Sequence, residues 1–306
     1  MKPLFGAILA AALFVPGIAR ADDPFILPSS TSLSGEGATV TFDAAGSDHL
    51  FFFDHRPIQL GSITAWKADG SAAALANAMQ GRFRSVFDLK LDQQGTWKVA
   101  SDQTMITGTF KENGQERRVG GRPGGPGGPG GPGGPGGPGG PGGPGGGEGE
   151  RRPAGEAPRL PPVAFKDIPA DATDIHLTEV VRTTATYVTL GAPTTTVLKP
   201  VGKGLEFDPL THPNELAAGE TARFRFLVDG KPAAHVKVTV IPGGDRYRED
   251  LGERDFTTGP DGVVTIKWPS AGMYWLGAEA EDHNPSEKKA EVRKMDTAVT
   301  LEVMTP

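Results

Sequence analysis

Two Asp-His pairs stand near the start of the chain, Asp48-His49 and Asp54-His55. Imidazole and carboxylate are ligands that first-row metals accept. His49, Phe51, Phe53 and His55 share one parity, so an unbroken strand through 49–54 would place both imidazoles on one face. A strand rises ~3.3 Å per residue, which sets the two rings ~20 Å apart. One ion could reach both only if the chain bends after Phe53. Asp54 and His55 would otherwise be two ligands of a site completed elsewhere, with His212 of Thr211-His212-Pro213 as a further donor. The competing reading makes both pairs solvated strand ends. His176, His235 and His283 complete the histidines; His235 is expected on a strand and His283 in the loop before Asn284-Pro285.

Gly243-Gly244-Asp245 precedes Arg246-Tyr247-Arg248. No helical pattern follows, so this is not a phosphate loop at a helix N-terminus. It reads as a tight turn displaying Arg246, Tyr247 and Arg248, which could grip an anionic ligand or partner. An ordinary solvated loop is the alternative. Trp268, Tyr274 and Trp275 read as core and corner residues, with a sugar-binding platform as the second reading. There is no G-x-S-x-G, H-E-x-x-H or Walker A signature. Cysteine is absent, which removes thiolate metal sites and Cys nucleophiles. The residues therefore point to binding and not to an enzyme.

The elements that must position these residues are β-strands. In 306 residues there is material for one or two domains. Lys2, the apolar run 4–15, Pro16-Gly17 and Ala19-Arg20-Ala21 predict a signal peptide over 1–21, with a mature start at Asp22. Without Lys2 and Arg20, 29 basic residues face 37 acidic ones, a net charge of −8. An acidic exported protein is a poor partner for nucleic acid. No later stretch has the ~18 apolar residues of a membrane span, and without Cys its stability must come from packing.

A first β-sandwich module is expected over 22–118. Its strands are 38–42, 49–54, 58–67, 83–91, one beginning at Gly95 and one over 105–110. Residues 72–79 are the only piece of helix-favouring composition. A Gly/Pro-rich insert follows over 119–162, with eight prolines at a three-residue period from Pro123 to Pro144. It reads as a solvated, disordered spacer biased to polyproline II, inserted into a loop. Residues 163–201, with a strand pair over 178–190, complete the first module or bridge to the next. The second module, 202–306, is expected to carry strands at 205–207, 221–228, 235–241, 254–257, 263–268, 273–279 and 298–304. Phe224 and Phe226 share a face there, opposite Arg223 and Arg225. The fold class is all-β: two immunoglobulin-like or transthyretin-like antiparallel sandwiches.

One local pattern occurs twice. Gly95-Thr96-Trp97 and Gly272-Met273-Tyr274 each follow a strand and a corner and open a new strand. Immunoglobulin-like sandwiches bury an aromatic at such corners, which suggests two related modules.

Gly204-Leu205-Glu206-Phe207-Asp208-Pro209, Asp229-Gly230-Lys231-Pro232, Asp261-Gly262, Ala271 to Leu276 and Ser47 to Pro57 together resemble the domain-of-unknown-function 4198 family. The resemblance covers most of the mature chain apart from the Gly/Pro insert. It implies an exported, Gram-negative periplasmic protein that handles a metal ion or metallophore. A divalent transition metal or ferric chelate would be the ligand, and a TonB-dependent receptor or metal permease the partner. Nickel-linked members often start the mature chain with a His followed shortly by aromatics; Asp22-Asp23-Pro24-Phe25 lacks that His. The expected function is thus a non-enzymatic accessory or binding component of uptake. The alternatives are a structural or adhesive module with a Gly/Pro spacer, or a carbohydrate-binding module.

Overall fold

A computed structural model describes residues 23–120 and 161–306. The expected signal peptide and most of the Gly/Pro run lie outside the described residues. In chain order the strands are β1 (Asp23–Pro28), β2 (Ser32–Leu33), β3 (Ala38–Ser47), β4 (Arg56–Pro57), β5 (Ile63–Trp66), β6 (Ala72–Ala73) and β7 (Ala76–Gln80). Then come β8 (Ser85–Leu91), β9 (Gly95–Glu112), β10 (Gln115–Val119), β11 (Thr173–Leu190), β12 (Leu205–Pro209) and β13 (Thr221–Val228). The last six are β14 (Lys231–Pro232), β15 (Lys237–Pro242), β16 (Arg254–Thr257), β17 (Val263–Lys267), β18 (Gly272–Asp282) and β19 (Val292–Val303). Among the described residues the only helical pieces are single 3₁₀ turns.

Alternating patterns make these strands. On β8, Ser85, Phe87, Leu89 and Leu91 are buried and the residues between them are not. On β13, Phe224 and Phe226 are fully buried while Arg223 is exposed and Arg225 half-buried. Burying each such aromatic contributes about 1.5–3 kcal/mol, and in a strand the period of two sends it to one face.

The strands form three sheets, one long central sheet and two that cover it. The central sheet runs β16-β15-β18-β19-β11-β9-β5-β6, with β10 on β9 and β2 on β11. Sheet β1-β3-β8-β7, joined by β4, covers its first-module end. Sheet β12-β13-β14, joined by β17, covers its second-module end. The covers lie on opposite faces. Val188 and Leu190 of β11 pack in a core with Phe42, Phe87 and Trp97, whereas Tyr187 packs with Phe207, Phe224 and Phe226. Neighbouring strand residues point to opposite sides.

The two modules are therefore two sandwiches sharing one sheet, joined where β11 runs parallel to β19 from Thr178↔Val292 to Thr186↔Thr300. That is the one departure from antiparallel pairing among the long strands. Residues 163–201 both complete the first sandwich and bridge to the second. Opposite covers flanking a parallel pair are the arrangement of an approximate two-fold axis along the strands between β11 and β19.

Four expectations differ. Residues 72–79 are not helical: Ala73 pairs Ala65 and Met79 pairs Val86, so strand partners override alanine's helix preference. Residues 49–54 are not a strand. The chain turns there, with Phe51 at φ 65° and the Phe52 N–H on the His49 carbonyl at 3.1 Å. The strand starting at Gly95 and the one over 105–110 are a single strand, β9, and the expected pair over 178–190 is likewise one strand, β11. Gly108 lets these long strands stay paired: at φ 146° its missing Cβ would lie 2.0 Å from the His176 carbonyl oxygen. His235 precedes its strand, in a turn at φ 60°.

The ends of the Gly/Pro segment meet. Val119 bridges Val163, Gly120 N–H donates to the Val163 carbonyl at 3.0 Å, and Val163 N–H to Arg118 at 3.0 Å. The segment is an insertion between two positions of one module.

Candidate functional site

The opposite placement of the covers leaves a step on the central sheet. On the face covered by β12 and β13 the first-module strands are not roofed by a second sheet. The cleft at this step has a volume of about 270 Å³ and is lined from both modules. Its floor is set by strand register. Trp66 pairs Lys98 and Lys98 pairs Tyr187, which places the three side chains in one row across β5, β9 and β11. Ala185, Val299, Leu205 and Phe207 give an apolar wall, and the loop from Leu198 to Lys203 closes one side.

That loop is held by its own carboxylate. Glu206 accepts the N–H groups of Val201, Gly202 and Lys203 at 2.6, 2.8 and 3.2 Å. Gly204 N–H donates to Asp229 at 2.8 Å, and Asp229 and Asp282 both bind the guanidinium of Arg293. Arg293 holds both carboxyls below the usual carboxylate range, mainly through these hydrogen bonds. Thr297 Oγ1 donates to the Leu205 carbonyl at 2.5 Å.

The charged groups of the cleft are unevenly satisfied. Asp102 accepts the Thr183 hydroxyl at 2.8 Å. Lys98 places its Nζ 5.4 Å from the centroid of Trp66, within cation–π range. Burial pushes the Lys98 ammonium below the ordinary lysine range, while the fields of Asp102 and Glu206 act in the opposite direction. Tyr187, buried beside it, has its phenol pushed well up by burial.

The sequence-derived candidates fall elsewhere, and two groups of them meet. The 48–55 loop docks on the 243–251 loop. Asp245 accepts the Leu50 N–H at 3.2 Å and its own neighbour Arg246 N–H at 2.8 Å. His49 Nδ1 lies 3.5 Å from Asp245 Oδ2 and has no hydrogen-bond partner. Phe52 meets Tyr247 edge-on at 5.5 Å and lies 5.2 Å from the Arg246 guanidinium. Arg248 is consumed locally, donating to the carbonyls of Gly243, Pro242, Asp250 and Leu251. Asp54 accepts the Ser47 hydroxyl, while Asp48 and His55 are exposed. Beneath this contact Phe25, Ala45 and Leu50 pack on Ile241, Trp275 and Ala298, and Trp275 Nε1 donates to the Pro24 carbonyl at 2.9 Å.

His212 is remote from that junction. Its Nδ1 accepts the Asn214 N–H at 3.2 Å, and its Nε2 faces Thr96 Oγ1 at 3.0 Å and the Thr194 carbonyl at 3.2 Å. The Asn214 donor fixes the tautomer with the proton on Nε2. Among the described residues no three His, Asp or Glu side chains gather in a way that could hold a metal ion. Asp48, His49, Asp54, His55 and His212 thus do not assemble into a donor set. Trp268, Tyr274 and Trp275 are buried and offer no platform to a sugar. Trp66 and Lys98 were not singled out by sequence. Each carries a signal only once register places it beside the other.

A family model described as a domain of unknown function (DUF4198) matches residues 19–282. No curated protein matches the chain. Among solved structures, the D0-D1 domain of intimin aligns over 92% of this chain and 97% of its own, at 12% identity and a TM-score of 0.21. Escherichia coli alpha-2-macroglobulin activated by porcine elastase aligns over 93% of this chain and 31% of its own, at 10% identity and a TM-score of 0.19.

Proposed function

The chain belongs to the DUF4198 family, and from that premise we propose that it is an exported, non-enzymatic binding protein that holds a small ligand in the cleft between its two sandwiches. Its place is the periplasm and its role accessory to uptake, with a TonB-dependent receptor or permease as the docking partner. The observation that carries the reading is the cleft itself: about 270 Å³, walled from both modules, with the Lys98 ammonium inside. Concave, mostly apolar sites with a few placed polar groups are where small molecules bind.

Two features favour binding over chemistry. The carboxylates of the cleft are engaged, Glu206 by three N–H groups and Asp102 by the Thr183 hydroxyl. No histidine lines the cavity. Among the described residues the scattered His and Asp side chains form no donor set for a bare metal ion, so the ligand of the cleft is read as an organic molecule. The bridge between Val119 and Val163 brings the ends of the Gly/Pro insert together and gives the spacer reading a place.

The test is fractionation of the native host, N-terminal sequencing and native mass spectrometry of the recovered protein. We expect a periplasmic chain beginning at Asp22 and carrying an organic ligand released on denaturation. An uncleaved cytosolic chain, or a protein that carries nothing, would overturn the reading.

A further inference from the structure

We infer that the cleft is built for a small organic monocarboxylate, with Lys98 as its counter-ion and the Trp66 ring as the surface against which its apolar body lies. This inference rests on the ligand-holding reading above.

The starting point is an unpaired cation. Among the described residues no carboxylate stands within ion-pair distance of Lys98 Nζ, which lies 5.4 Å from the centroid of the Trp66 ring. Its two acidic neighbours are engaged elsewhere. Asp102 is tied to Thr183 Oγ1. Glu206 is fixed by the backbone of Val201, Gly202 and Lys203. Lys98 is half-buried, and a charge partly withdrawn from water costs free energy unless it is paired. The cleft leaves that pairing to be supplied from outside.

The surroundings narrow the class. Asp102 and Glu206 already place negative charge in the walls, so a dianion such as a phosphate monoester would meet about twice the repulsion that a monoanion meets. Val181, Ala185, Leu198, Phe207 and Val299 give the lining an apolar part beside polar Gln103 and Thr104, which suits an apolar body beside the carboxylate. The volume of about 270 Å³ admits one ring system with a short side chain and not an oligomer. Lys199 and Lys203 are exposed at the mouth and bias the entrance towards anions.

The two modules differ in how the corresponding faces are covered. The corresponding face of the second module, around Trp275, is covered by β1 and the 48–55 loop through Phe25 and Leu50. On the first module the corresponding cover is only the loop from Leu198 to Lys203, and the step stays open.

The experiment is calorimetry on the mature chain with 3-phenylpropionate and indole-3-acetate, each paired with its primary amide as a neutral isostere. At least one acid should bind one-to-one and about 10-fold or more tighter than its amide, the range of a hydrogen bond to a charged group. Lys98→Met should erase that preference and Lys98→Arg should keep it. Equal affinity for acid and amide, or a preference that survives Lys98→Met, would overturn the carboxylate assignment while leaving the cleft a binding site. Binding of neither probe, with an empty protein from the native host, would overturn both the assignment and the reading beneath it. Circular dichroism of Lys98→Met confirms that a lost preference is not lost folding.

Discussion

Trp97 and Tyr274 make the same bond in the two halves of the protein. Trp97 Nε1 donates to the Gln93 carbonyl at 3.1 Å, and Tyr274 Oη to the Ser270 carbonyl at 2.9 Å, each reaching back four residues. Both follow a glycine at positive φ, Gly95 at 118° and Gly272 at 142°. Both rings are fully buried, one beneath each cover sheet. Two corners of one design thus open the strands, β9 and β18, that flank the parallel β11–β19 pair.

Tyr274→Phe removes the hydroxyl, which donates to the Ser270 carbonyl and also meets Ser270 Oγ at 3.0 Å. The Ser270 carbonyl then loses its partner in a half-buried corner. The expected loss is about 0.5–1.5 kcal/mol in urea unfolding, with the midpoint lowered and the slope unchanged. Stability equal to the parent's would show that the corner bond is not used.

Arg293→Met breaks the cluster with Asp229 and Asp282. The Arg293 side chain is 8% exposed but its partners are 35% and 29% exposed, so water relieves part of the cost. About 3 kcal/mol is expected, the low end for removing one partner of a buried pair. The pH dependence has a definite sign. Both folded-state carboxyls are held below their ordinary value, chiefly by hydrogen bonds from Arg293. Their contribution is therefore complete above about pH 4 and lost as pH falls through the lowered values. Below that window the parent and Arg293→Met should converge in stability; a constant gap down to acid pH would contradict the account.

Asp245→Ala should loosen the inter-module contact. It leaves the buried Leu50 N–H without its acceptor, a cost of about 1–3 kcal/mol. Hydrogen exchange should quicken in the 48–55 loop and at Ile241 while the β12–β13 sheet is unchanged. Uniform quickening across the molecule would mean a global effect instead.

Binding of a monocarboxylate should weaken on the alkaline side. Burial holds the Lys98 ammonium below the ordinary lysine range, so its charge is lost at a lower pH than that of a surface lysine. Affinity should fall before surface lysines titrate, and a fall that tracks the surface lysines would contradict the account. In Lys98→Arg the fall should move to higher pH.

The strand content was legible where one face is buried. Thr221–Val228 and Arg254–Thr257 were placed at their observed bounds because their alternation and turn residues agree. The Gly-x-aromatic echo marked the two corners for the same local reason. What sequence could not carry was long-range pairing. The sharing of one sheet depends on β11 lying parallel to β19, which no local pattern encodes. Residues 49–54 are apolar because Leu50, Phe51 and Phe53 plug the junction with the second module, not because they form a strand. Asp-His pairs drew notice as metal donors by type alone. Trp66 and Lys98, 32 positions apart in the chain, become a site only through the β5–β9 register.

The central claim is that the Trp66–Lys98 cleft takes the ligand, and the indole N–H signals of the protein test it most directly. The chain has four tryptophans, and Trp97, Trp268 and Trp275 are buried in the cores away from the cleft. In a ¹⁵N-labelled sample titrated with the acid that binds in calorimetry, the account predicts that the Trp66 indole signal shifts to saturation while the other three stay in place. A ligand-dependent shift of Trp275, which sits under the 48–55 and 243–251 loops, with Trp66 unmoved would contradict it.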